Sequence, residues 1–164
     1  MESLTDLTRT LGAALIAKKT TVAVAESSAA GLISAALLAV PGASAFYRGG
    51  VVSYTVYARQ AFLGIGDADM AGMRPSTEAY ALLLARRVRE RLGTDWGVGE
   101  TGATGPTGNR YGDAAGHACI AVIGPSFERA LTIETRHGGR EPNMWTFTLA
   151  ALELLERAVG EMKS

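Results

Sequence analysis

Between Thr21 and Leu38 the chain changes character twice, and no other segment restricts the fold so much. A short apolar run of β-type residues, Thr21–Ala25, ends at Glu26. Five small residues follow, Ser27-Ser28-Ala29-Ala30-Gly31, and Gly31–Leu38 then reads as helix, halted before Pro41-Gly42. A strand that stops at a small-residue turn and restarts as helix places backbone N–H groups and the positive end of a dipole at the carboxyl edge of a sheet. Anionic and nucleotide-like ligands bind at that edge in open α/β sheets.

The remaining elements extend this pattern. Leu4, Leu7, Leu11 and Leu15 recur at helical spacing and predict a helix over about residues 4 to 18, with Ser3 or Thr5 as its cap and Lys18-Lys19 near its negative end. Gly50–Thr55 reads as a second strand and Tyr57–Leu63 as a short helix closed by Gly64. Pro75-Ser76-Thr77 opens a long amphipathic helix, with Leu82, Leu83, Val88 and Leu92 apolar and Arg86, Arg87, Arg89 and Arg91 as a solvated face. Trp96–Val98 predicts a short strand leading into a second glycine-rich loop. His117–Ile123 and Ala130–Thr135 predict a hairpin turning at Gly124-Pro125-Ser126, and Pro142 to Val159 a closing helix. The expected fold is a single layered α/β/α domain over residues 1–164, with a mixed, mostly parallel sheet.

Composition narrows the function. With 164 residues, 48% of them hydrophobic, the chain has material for one sizeable core. Lys+Arg and Asp+Glu are balanced at 16 each, and no basic stripe is visible, so neither nucleic acid nor a membrane surface is an expected partner. The first residues lack the basic start and apolar core of a signal peptide, and no run approaches a membrane span, which points to the cytoplasm. The single cysteine, Cys119, lies in the apolar run His117–Ile123 and reads as a buried, inert thiol. His117 and His137 show no metal-ligand spacing, so no metal is expected.

Several polar residues fall where chemistry would sit. Glu26 and Glu100 each end a predicted strand at the carboxyl edge. Two carboxylates there serve acid/base chemistry, a ribose diol or a metal, or else anchor loop N–H groups. Ser27, Ser28 and the following helix start are candidate anion ligands. Thr101, Gly102, Thr104 and Gly105 offer hydroxyls and open backbone in the second loop. Ser44 follows Pro41-Gly42-Ala43 in a turn, as either an exposed nucleophile or a turn-capping hydroxyl.

The order AES plus small residues, then PG-x-S, R-G, V-V-S-Y and A-R-x-x-x-L-G, with GETGATGP at Gly99–Pro106, resembles the C-terminal domain of the CinA family over nearly the whole chain. The resemblance implies hydrolysis of the amide of nicotinamide mononucleotide without metal or cofactor, and a homo-oligomer. By it Ser44 is the nucleophile, Tyr54 a proton relay, and Arg59 and Arg140 ligands for phosphate. Departures from the family pattern matter. The family lysine after the V-x-Y strand is Arg59 here, and arginine keeps its proton, so it cannot serve as a base. The family E-S-C-T-G-G is Glu26-Ser27-Ser28-Ala29-Ala30-Gly31, which loses a threonine hydroxyl and a glycine, and Glu100 has no counterpart in the pattern. The alternative reading is therefore a relative that binds a nucleotide or anion without cleaving it.

Overall fold

The computed structural model describes residues 2–162, with side chains from residue 4. Five strands form one sheet in the order β2-β1-β3-β4-β5. They are β1 (Val22–Glu26), β2 (Tyr47–Val52), β3 (Trp96–Ala103), β4 (His117–Gly124) and β5 (Phe127–Glu134). β1 pairs in parallel with both β2 and β3, whereas β3–β4 and β4–β5 are antiparallel. Only β4 therefore runs against the other strands, and the sheet is mixed as expected. The central strands β1 and β4 are buried along their whole length, which is why both read as continuous apolar runs.

Helices cover both faces. α1 (Glu2–Ala17), α2 (Leu32–Leu38) and α5 (Arg140–Glu161) pack on one side, around Leu11, Leu15, Ile33, Leu37, Phe46, Trp96, Leu152 and Leu155. α4 (Glu78–Leu92) packs on the other, with α3 (Val56–Leu63) beside it, around Tyr80, Leu84, Val88, Leu63 and Ile65. Thr55 and Thr77 cap α3 and α4, their hydroxyls accepting from Ala58 N and Tyr80 N at 3.2 Å. Because α1 already begins at Glu2, Thr5 lies inside it, and the side chain of the other expected cap, Ser3, lies outside the described residues. Among the described residues no helix is long and apolar enough to cross a membrane.

Two expectations are corrected. The segment Gly99–Ala103, read as loop, is the second half of β3. Gly97 and Gly99 are there so that α4 can lie directly on the strand: a Cβ at either would come within 2.1 Å of the Ala85 or Ala81 carbonyl oxygen. The arginine face of α4 is only partly solvated. Arg86 and Arg91 are exposed, but Arg87 pairs with Asp69 at 2.7 Å and Arg89 Nε donates to the Asp95 carbonyl at 2.8 Å.

Candidate functional site

At the carboxyl edge of β1, β2 and β3 the structure opens a cavity of about 540 Å³. Four segments line it: Ser27 just after β1, Ser53 to Arg59 from the end of β2 into α3, Arg74 to Tyr80 leading into the first turn of α4, and Thr101-Gly102 at the end of β3. Asn109, Arg110 and Tyr111, from the connection between β3 and β4, close the rim. Crossovers leave the parallel strands toward opposite faces here, which is what produces a crevice at such an edge.

The carboxylates do not face this cavity as ligands. Glu26 is fully buried, and its oxygens accept from Gly31 N, Ile33 N and Ser34 N at 2.9–3.0 Å and from the Ser34 hydroxyl at 2.6 Å. Glu100, also fully buried, accepts from Ser27 N and Ala29 N at 2.9 Å and in a short bond from the Ser28 hydroxyl. Burial pushes the Glu100 carboxyl above its ordinary range, and those three donors hold it down only in part. The N–H groups expected to meet an external anion at the start of α2 thus already meet the protein's own carboxylates. Anchoring, the plainer of the two readings of Glu26, is the one observed, and the expected phosphate cradle at Ser27, Ser28 and α2 is corrected accordingly.

Ser44 is also misplaced relative to expectation. It is exposed in a single 3₁₀ turn, Ala43–Ala45, just before β2 begins. The next residue but one, Phe46, receives the first parallel bond from Val22 N at 2.8 Å. Ser44 therefore lies at the amino edge, a full strand away from the cavity, roughly 16–20 Å for six residues at about 3.3 Å each. The expectation that Ser44 points into the hollow fails because the chain must cross the sheet along β2 between Ser44 and Tyr54.

Ser27 takes the position that Ser44 was expected to hold. It is half-buried, its backbone is pinned by Glu100, and its hydroxyl has no protein partner among the described residues. Ser53 lies beside it: Glu26 and Val52 are register partners, and Ser53 N donates to the Glu26 carbonyl at 2.8 Å. Tyr54, 63% exposed, forms the mouth. Arg59 is 9% exposed and its guanidinium carbon lies 5.9 Å from the centre of the Tyr80 ring. Burial raises the Tyr80 phenol above its ordinary value, and the neighbouring Arg59 works against that. Thr101 points its hydroxyl at Ser76, accepting from Ser76 N at 3.2 Å.

Thr104, Gly105 and Arg140 are not brought into the cavity. Arg140 donates to the Gly105 carbonyl at 2.7 Å, and Asn143 donates to the Thr104 carbonyl at 2.8 Å, so this group holds α5 to the end of β3. Arg140 is exposed and lies outside the residues that line the cavity.

The sequence reading missed Ser53, Arg74, Ser76 and Tyr80. Ser53 precedes Tyr54 in V-V-S-Y, and Tyr80 lies in the first turn after the Thr77 cap, so both sit next to recognised signals. Arg74 grips Asp113 through two bonds at 2.7 and 3.1 Å and stacks on Tyr111, joining the rim to the segment before α4. Arg74 beside Asp113 holds that carboxyl below its ordinary value.

His117 secures the same segment from behind. Its Nδ1 lies 2.5 Å from a Glu134 oxygen and its Nε2 2.9 Å from the Ser76 carbonyl, and two acceptors favour the doubly protonated ring. Burial opposes that charge, but Glu134, the Ser76 carbonyl and Asp113 outweigh it and raise the His117 pKa. A raised folded-state value adds stability below the unfolded histidine range, about 6.5, and that stability is lost as pH rises through the folded value. Urea denaturation should show wild type exceeding His117→Gln by most near pH 5.5 and by least above pH 8; a constant difference would contradict the charged ring. Cys119, beneath it, is buried, and burial pushes its thiol up, as expected of an inert residue.

Helices on both faces of a mixed sheet, with a crevice at the carboxyl edge of its parallel strands, define a layered α/β fold. The family model described as CinA C-terminal domain matches residues 4–159, and the chain belongs to that family. It is 38% identical over 150 residues to a CinA-like protein of Gloeobacter violaceus, an alignment covering 90% of this chain and 35% of that protein. It is 37% identical over 153 residues to a CinA-like protein of Salinibacter ruber, covering 92% and 36%. The chain thus spans about a third of the length of these curated relatives. Among solved structures, the competence damage-inducible protein A (ComA) of Klebsiella pneumoniae superposes with a TM-score of 0.91 at 25% identity, covering 98% of this chain and 99% of that one. The competence/damage inducible protein CihA of Agrobacterium tumefaciens gives 0.84 at 28% identity, with 96% of each chain covered.

Proposed function

We propose that this chain carries a nicotinamide-nucleotide amidohydrolase-type pocket in which Ser27, rather than Ser44, is the acyl acceptor, and in which Arg59 in place of a base has slowed hydrolysis relative to binding. The observation that carries the reading is the convergence of Ser27, Ser53, Tyr54 and Arg59 on one cavity. In this chemistry the Ser27 oxygen bonds to the amide carbon while the carbon–nitrogen bond breaks. The serine proton leaves with the nitrogen as ammonia. Water then cleaves the resulting ester, restoring the serine and giving the carboxylate. The oxyanion formed on the way lies near the Arg59 guanidinium and the Ser53 hydroxyl, since the N–H groups of the first turn are committed to Glu26 and Glu100.

What the site lacks is a proton acceptor for Ser27. Arginine holds its proton, and the nearest carboxylates are saturated with donors. A second reading, binding without turnover, is favoured by the same Arg59. Ammonia release from nicotinamide mononucleotide decides between them. Slow turnover that disappears in Ser27→Ala and persists in Ser44→Ala is the expected result. Turnover that survives Ser27→Ala and is lost in Ser44→Ala would reject the assignment, and saturable binding with no turnover would establish the second reading.

A further inference from the structure

Two buried polar atoms of the cavity lining, Arg59 Nε and the Ser53 hydroxyl, have no hydrogen-bond partner, while the rest of the Arg59 guanidinium meets the Tyr80 phenol. Arg59 is 9% exposed, its Nε has no hydrogen-bond partner, and among the described residues it forms no ion pair. Ser53 is 3% exposed and its hydroxyl is equally unpartnered. Buried polar groups are almost always satisfied, and a buried cation without a counter-charge is the costliest exception. The surrounding carboxylates cannot supply that charge. Glu26 and Glu100 are taken up by the turn after β1, and Asp113 holds Arg74 and Asn109. An anionic ligand in the cavity would supply that charge.

Guanidinium chemistry selects among anions. A guanidinium presents only donors, in a planar fork that a carboxylate fills with both oxygens. A carboxamide offers that fork one oxygen and turns an N–H₂ donor toward a cation. Ser53 donates to either, so it does not offset the difference. Position matters as well: Ser53 sits beside Ser27, where the acyl group is presented. At the other end, Arg110 is exposed and stacks on Tyr111 at 5.1 Å, with Arg74 on the same ring at 5.5 Å. A strongly hydrated phosphate meets positive charge there without leaving water.

We propose that Arg59 and Ser53 form a carboxylate site, so that the chain selects the acid form of a pyridine mononucleotide over its amide form. This rests on the reading of the cavity given above and specifies its ligand. The family's base position has become an anion receptor, and the product of amide hydrolysis is the species it retains.

Calorimetric titration of the full chain with nicotinate mononucleotide, nicotinamide mononucleotide and inorganic phosphate tests this. The acid is expected to bind at least tenfold more tightly than the amide, with phosphate weaker than both. That ratio, measured on wild type, does not depend on any variant folding; Arg59→Met and Ser53→Ala should each move it toward one. Equal binding of acid and amide would overturn the carboxylate site while leaving the nucleotide pocket in place. Phosphate binding as tight as the acid and lost in Arg59→Met would also overturn it, by placing phosphate on Arg59. No binding of either nucleotide would overturn the pocket itself.

Discussion

Glu100→Ala should cost the fold more than about 3 kcal/mol in urea denaturation, with an unchanged m-value. The reason is arithmetic on donors. Glu100 is fully buried and receives Ser27 N, Ala29 N and the Ser28 hydroxyl. Removing it leaves three donors in a dry turn, each worth about 1–3 kcal/mol when unpaired. The carboxylate's own burial offsets part of this, since its pKa is pushed up by desolvation, so the full sum is not expected. Glu100→Gln keeps an acceptor of the same shape and should lose less than half as much. A loss below about 1 kcal/mol for Glu100→Ala would mean that the turn after β1 is held by something else. The same substitution should release Ser27, so any hydrolysis should fall even where the protein remains folded.

Arg59→Lys should raise ammonia release from nicotinamide mononucleotide by about 100-fold or more. A positioned general base contributes roughly 10²–10⁴ in rate, and lysine is the residue type that desolvation can strip of its proton. The site is buried and apolar on one side, with Tyr80 beside the side chain, so the conditions for lowering a lysine are present. Arginine in the same place remains a cation whatever the surroundings. The gain should vanish in Arg59→Lys combined with Ser27→Ala. Equal rates for wild type and Arg59→Lys would show that proton transfer does not limit this site. Because lysine lacks the planar fork, the same variant should also bind the acid nucleotide less tightly, linking a gain in rate to a loss in product affinity.

How much of this was legible in the sequence depends on the kind of information involved. Local signals were strong. Thr21–Ala25, bounded by small residues, became β1, the Gly64 stop closed α3 and the Thr77 start capped α4, because turn chemistry and periodicity act within a few residues. What failed was long-range. Nothing near Ser44 says that β2 carries the chain from one edge of the sheet to the other before Tyr54. Nor does any local pattern distinguish glycines that shape a loop from Gly97 and Gly99, which admit α4 against β3. The partners of Glu100 lie more than seventy residues earlier, at Ser27 to Ala29, so its anchoring role appears only once β1 and β3 are adjacent. Arg59 was the exception. Its chemistry was readable from residue type alone, and the structure added that it is buried against Tyr80 with its Nε unpartnered.

A crystal structure of the chain with nicotinamide mononucleotide would show which hydroxyl faces the amide. The nucleotide is expected at the carboxyl edge, its amide carbon about 3–3.5 Å from the Ser27 oxygen and its phosphate toward Arg110 at the rim. A nucleotide seated at the amino edge beside Ser44, or with its phosphate displacing Glu26 from the start of α2, would contradict that placement.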